Sequence, residues 1–229
     1  MRTAIQLCFV CAMVAVCRGQ GYFEFSNFGS APIFGPDTND VHLQQWGNPP
    51  DAFPPGNQNY TGPRLAGTNY SVDATYSLEP VTDDFELRLD FLQLPLPPKR
   101  FSGIFPGFFF GAEVSITGAP NFYVYLQVRA WDNAGGLYPT WTAAWTAAQN
   151  GSGKSVGWSQ VFGQPLGVST MGGPYPTLDN FESFNTFIVP EPTMVWLIAL
   201  GVTFWVFGRR RPQRVRNALM KRHQKGTGT

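Results

Sequence analysis

The sequence predicts a mainly β protein: an antiparallel β-sandwich, jelly-roll-like, followed by a single C-terminal transmembrane helix. Three observations predict it. Alternating apolar and polar runs recur between breakers, and 25 Gly and 20 Pro in 229 residues interrupt any long amphipathic helix. About seven such runs separated by turn signals match the strand count of a sandwich. A charge-free run, 193–208, lies between a Pro-rich hinge and three arginines near the C-terminus.

Taken in order, Met1-Arg2-Thr3 followed by apolar residues 4–16 and the small polar stretch 18–21 reads as a secretory signal peptide over 1–19, cleaved between Cys17 and Gly21. Cys8, Cys11 and Cys17 are the three cysteines of the chain. Removing the signal leaves an exported domain, 20–188, without a thiol for a disulfide, a thiolate metal site or a cysteine nucleophile. Tyr22–Phe28 alternates and is expected as the first strand, and 32–63, dense in Pro, Gly, Asn and Asp, as a long loop. Gly67–Leu78 and Phe85–Phe91 are expected strands, the second with Glu86, Arg88 and Asp90 on its polar face. Phe108–Ile116 resumes as strand around Gly111. The longest strand is expected over Asn121–Trp131, with Phe122, Val124, Leu126, Val128 and Ala130 on one face and Tyr123, Tyr125, Gln127, Arg129 and Trp131 on the other. Asp132-Asn133-Ala134-Gly135-Gly136 is a turn. A short helix is expected over Thr142–Ala148, then strands over Val156–Phe162 and Phe181–Val189.

The C-terminal segment has three parts. Pro190 and Pro192 lack N–H groups and bias their neighbours away from helix, so Val189-Pro190-Glu191-Pro192-Thr193 is expected to be extended. Thr193–Gly208 spans roughly 24 Å as a helix, short of a bilayer core of roughly 30 Å, with Arg209, Arg210 and Arg211 able to snorkel. The basic tail, 212–229, has no acidic residue and would stay on the cytoplasmic side of the lipid bilayer, placing the domain outside. Together, Pro190-Glu191-Pro192, the apolar run and the arginine cluster resemble the PEP-CTERM sorting signal of certain Gram-negative bacteria. In that family the signal, here 189–211, is recognised by exosortase, a membrane-embedded cysteine peptidase or transpeptidase. The resemblance implies export, a single-pass intermediate at the inner membrane, processing near Glu191, and delivery to the cell surface or an extracellular matrix. A looser likeness to exported proteins of the same class lies in Val128-Arg129-Ala130-Trp131-Asp132 with Gly135-Gly136 and Gly153-Lys154-Ser155; it brings no activity.

Charge and motif spacing narrow the function. Residues 20–188 hold six Lys/Arg against fourteen Asp/Glu, a net charge of −8 masked by the basic tail. So acidic an exported domain is not a nucleic-acid binder. Ala148–Ser155 fits a relaxed phosphate-loop pattern, but that chemistry needs a preceding strand and a following helix. Gly153-Lys154-Ser155-Val156-Gly157 fits a nucleophile elbow, yet the histidine after it, His223, lies in the basic tail, and His42 precedes it in a loop. Asp83, Asp84, Glu86, Asp90, Glu113 and Asp132 present no carboxyl set apart as a glycosidase acid. Asp37–Asp40 and Asp132-Asn133 could ligate Ca²⁺ through oxygen, and loop polarity is the simpler reading. The expectation is a protein without catalytic residues, metal or cofactor.

The aromatic supply leaves two readings. Tyr123, Tyr125, Trp131, Trp141, Trp145 and Trp158 pack a second apolar layer beneath the short helix, or Tyr123, Tyr125, Trp131, Trp141 and Trp145 form a stacking platform for extracellular polysaccharide. The first makes the domain an exported surface or matrix component. The second makes it a membrane-anchored carbohydrate-binding module.

Overall fold

The computed structural model describes residues 20–81, 92–119, 122–167 and 175–190. The signal segment 1–19, the expected strand Phe85–Phe91 with its neighbouring carboxylates Asp83 and Asp84, and everything from Glu191 onward lie outside the described residues.

The architecture is mainly antiparallel β in two sheets. The smaller pairs β1 (Gln20–Glu24) with β5 (Glu113–Thr117). The larger runs β3 (Leu92–Gln93), β2 (Tyr70–Ser77), β6 (Tyr123–Asp132), β7 (Ser155–Trp158), β9 (Phe187–Ile188). In addition β4 (Lys99–Arg100) pairs β2, and β8 (Phe162–Pro165) pairs β6. Among the described residues this is a two-strand sheet and a seven-strand one, an arrangement consistent with a β-sandwich.

The fold class needs a correction at the membrane. Among the described residues no helix is long and apolar enough to cross a bilayer; the α-helix found there, α1 (Trp141–Gln149), has nine residues. The run 193–208, on which the transmembrane expectation rests, is outside the described residues.

The spine is the β2–β6 ladder, in register from Tyr70↔Asp132 to Ser77↔Tyr125. Strand periodicity sends alternate side chains to opposite faces. Val72 and Ala74 from β2, with Val124, Leu126, Val128 and Ala130 from β6, are fully buried and enter the main core with Phe23, Val114 and Ile116 of the smaller sheet. Phe122 does not join that face as the alternation predicts. Its φ of 53° falls in the left-handed region, which takes it out of the strand, and its side chain is exposed.

Two further expectations change in detail. The first strand stops at Glu24 because Asn27 acts as a loop organiser: its amide donates to the carbonyls of Ala31 and Gly107, at 2.8 and 3.0 Å, and its Oδ1 accepts from the Phe109 N–H at 2.8 Å. The strand expected over Val156–Phe162 is two strands. At the break the Ser159 hydroxyl accepts the Val128 N–H at 3.0 Å and the Ser159 N–H donates to the Val128 carbonyl at 2.8 Å. That insertion lets β6 pair with β7 along one half and β8 along the other.

Candidate functional site

The opposite face of β6 carries most of the residues singled out above, and α1 covers its end. The helix starts where Thr140, extended at φ −124° and ψ 157°, caps the Ala143 N–H. It ends at Asn150, followed by Gly151 at φ 77°. Its sequence, Trp-Thr-Ala-Ala-Trp-Thr-Ala-Ala-Gln, places Trp141, Ala144, Trp145 and Ala148 at i, i+3, i+4 and i+7, one face of a helix. The two alanines bring the helix close to the sheet, and the two tryptophans fill the space beside it.

What results is a second core of Trp131, Trp141, Ala144, Ala148, Val156 and Trp158, flanked by Tyr138, Trp145, Phe187 and Val189. Trp141 stacks on Trp145 with ring centroids 5.9 Å apart and planes 12° apart, and meets Trp131 and Trp158 edge-on at 6.1 and 6.3 Å. The Trp131 indole N–H donates to the Tyr138 carbonyl at 2.8 Å. Trp131 is 0% and Trp141 3% exposed, so neither offers a ring face to a sugar. Trp131 and Trp141 therefore belong to the packed layer, whereas Trp145 and Tyr125 are half-buried and Tyr123 is exposed. Tyr123 and Tyr125 sit at the other end of β6, their own rings 5.7 Å apart and edge-on, away from the tryptophan cluster.

Beside this cluster lies a buried ion pair. Arg129 and Asp73 are direct cross-strand partners. Arg129 Nε donates to Asp73 Oδ1 and Nη2 to Oδ2, both at 2.8 Å, while Gln93 Nε2 donates to Asp73 Oδ2 at 3.0 Å. The guanidinium lies 5.2 Å from the Trp141 ring centroid. Burial pushes the Asp73 carboxyl above its ordinary range, and the adjacent guanidinium opposes that shift. The signal was present as one charge in each of two otherwise uncharged strand cores, Tyr70–Tyr76 and Tyr123–Trp131.

The remaining motifs resolve as local structure. Ala148–Ser155 joins helix α1 to strand β7, the reverse of the order a phosphate loop needs, and Lys154 pairs with Asp132 at 3.1 Å. Ser155 is buried within β7, not poised on a strand-to-helix turn. The ring of His42 is within 2.6 Å of the Ile188 carbonyl. Asp37 Oδ1 accepts from the N–H groups of Asn39 and Asp40, and Asp132 Oδ1 from that of Ala134, so both carboxylates close turns.

The last described strand ends close to the C-terminal motif. Ile188 is the last residue of β9, its N–H bonded to the Val41 carbonyl at 2.7 Å. Val189 packs on the tryptophan cluster, and Pro190 is exposed. Glu191, Pro192, Thr193 and Arg209, Arg210 and Arg211 lie outside the described residues. No known protein family, curated protein or solved structure matches this chain.

Proposed function

We propose that this is an exported, non-enzymatic surface or extracellular-matrix protein whose C-terminal segment is a PEP-CTERM signal for exosortase. The observation that carries the reading is the order Pro190-Glu191-Pro192, an uncharged run, then Arg209-Arg210-Arg211. The position of the motif supports it. Among the described residues Val189 packs on the tryptophan cluster and Pro190, the first residue of the motif, is exposed, so the motif begins at the edge of the packed domain. Prolines on either side of Glu191 disfavour helix, and an extended backbone is the form a protease cleft accepts. In this reading Glu191 and its flanking prolines are the recognition element and the β domain is cargo.

The test is the intact mass of the protein recovered from its native host, wild type beside Glu191→Ala. The expected result is a new C-terminus within 190–193 that disappears in the variant. A chain ending at Thr229 in both would overturn the reading.

A further inference from the structure

The long loop 32–63, with Arg64 directly after it, builds a cleft of about 390 Å³, and its chemistry is specific. Its floor is the ring of Tyr60, stacked on Phe34 with centroids 4.2 Å apart and planes 8° apart. Tyr60 is held from within: its hydroxyl is 2.8 Å from the Gly47 carbonyl and 2.9 Å from that of Ser183. Phe34 is pinned by backbone bridges to Arg64 and Asn185. The walls are fixed as well. Asn48 donates its amide to the Pro54 carbonyl at 2.7 Å and accepts the Ser183 N–H at 2.9 Å. A loop tied at this many points presents a formed surface.

The rim is polar. The Asp51 carboxylate pairs with the Arg64 guanidinium, with side chains 65% and 32% exposed, and the amides of Gln58 and Asn59 line the same space. We infer that this cleft binds a neutral sugar unit of a polysaccharide, through its vicinal hydroxyls. A carboxylate and a guanidinium side by side cancel in net charge, so neither a bare anion nor a bare cation is favoured. A diol suits them both: its hydroxyl hydrogens go to Asp51, and its oxygens accept from Arg64 and the amides. The aromatic floor takes the apolar C–H face of the sugar ring. The volume is at the small end of ligand sites, roughly 300–1,000 Å³, as a short saccharide segment requires. Among the described residues that line the cleft Asp51 is the acid, and the inference is of binding.

Arg64 also connects the cleft to a wider apolar shelf. Its guanidinium is 5.8 Å from the Phe34 ring and 6.0 Å from that of Phe108, and Phe108 packs on the half-exposed Phe28, which meets Phe110 at 4.8 Å. A polysaccharide longer than the cleft would continue along these rings.

The experiment is retardation of the full chain in native gels containing a β-glucan, a mannan, a xylan or, as the acidic comparator, alginate. At least one neutral polymer should retard it, unaffected by high salt. Asp51→Asn and Arg64→Met should each weaken that retardation about tenfold or more, while Glu113→Gln on β5 leaves it unchanged. Unaltered circular dichroism of the variants separates lost binding from lost fold. Failure of every neutral polymer, or retardation by alginate alone that strengthens in Asp51→Asn and vanishes in salt, would overturn the inference. Neither result bears on the processing of the tail.

Discussion

Asp73 and Arg129 face each other in register across β2 and β6, joined by two 2.8 Å hydrogen bonds with both side chains 5% exposed. The pair lies on the face of the sheet opposite the main core, where the Trp141 ring covers the guanidinium. It ties together the two longest strands and the helix above them. A buried pair of this kind is weak support for stability in itself, because desolvating two charges offsets most of their attraction; breaking one half of it is costly.

Asp73→Asn should therefore destabilise the domain by about 3–5 kcal/mol, since a buried guanidinium loses its counter-charge. The double variant Asp73→Leu/Arg129→Met should lie much nearer wild type than either Asp73→Leu or Arg129→Met alone. Urea unfolding of the four proteins forms a double-mutant cycle. Additive effects would show that the two side chains do not act as a unit.

The tryptophan layer makes a prediction that separates two residues of one type. The Trp131 N–H has a partner, the Tyr138 carbonyl, whereas the Trp141 N–H is buried with no hydrogen-bond partner among the described residues. Replacing Trp131 by Phe loses that bond and strands an acceptor, while Trp141→Phe removes an unsatisfied donor. Trp131→Phe should be the more destabilising by about 1–2 kcal/mol. Thermal melts of the two proteins check the order, and equal losses would mean that ring volume alone matters.

The face assignments of β6 and the helical spacing of Trp141, Ala144, Trp145 and Ala148 could be read directly from periodicity, because both are local and repeat regularly. The break between β7 and β8 could not. It depends on the Ser159 hydroxyl reaching Val128 across the sheet. The cleft was hidden for the same reason. Phe34, Asp51 and Tyr60 lie in the stretch expected as a long loop, and Arg64 directly follows it. Their arrangement is imposed from far along the chain, by bonds such as Phe34 N–H to Phe184 O at 3.0 Å and Gly47 N–H to Ser183 O at 3.0 Å. The opposite holds for the Pro190-Glu191-Pro192 segment, which is plain in sequence and of which the described residues include Pro190 alone.

Gly111 predicts a steric contrast. It follows Phe110 where the chain runs directly against β1's continuation, and a β-carbon there would collide with the Phe25 carbonyl. That carbonyl is backbone, held by the bond from Phe25 N–H to Ala112 O at 3.1 Å, so it cannot swing away. Gly111→Ala should cost about 2–3 kcal/mol. Gly103, whose β-carbon would meet nothing within 4 Å, is the control: Gly103→Ala should be neutral or slightly stabilising through the unfolded state. Denaturant midpoints that move together for the two variants would contradict the close approach.

The acid limb of stability should depend on Asp37. Hydrogen bonds from the backbone N–H groups of Asn39 and Asp40 hold its carboxyl below the ordinary value of 3.8. A carboxyl depressed in the folded state contributes stability that is present above its unfolded value. The contribution is lost as pH falls below 3.8 and through the lower folded value, because the unfolded chain then takes up the proton first. Asp37→Asn keeps an oxygen to accept both N–H groups but cannot titrate, so its melting temperature should fall less steeply in that window. The difference between wild type and variant should be flat near neutrality and shrink in acid. Profiles that stay parallel down to about pH 2 would show that the turn does not discriminate between the two protonation states.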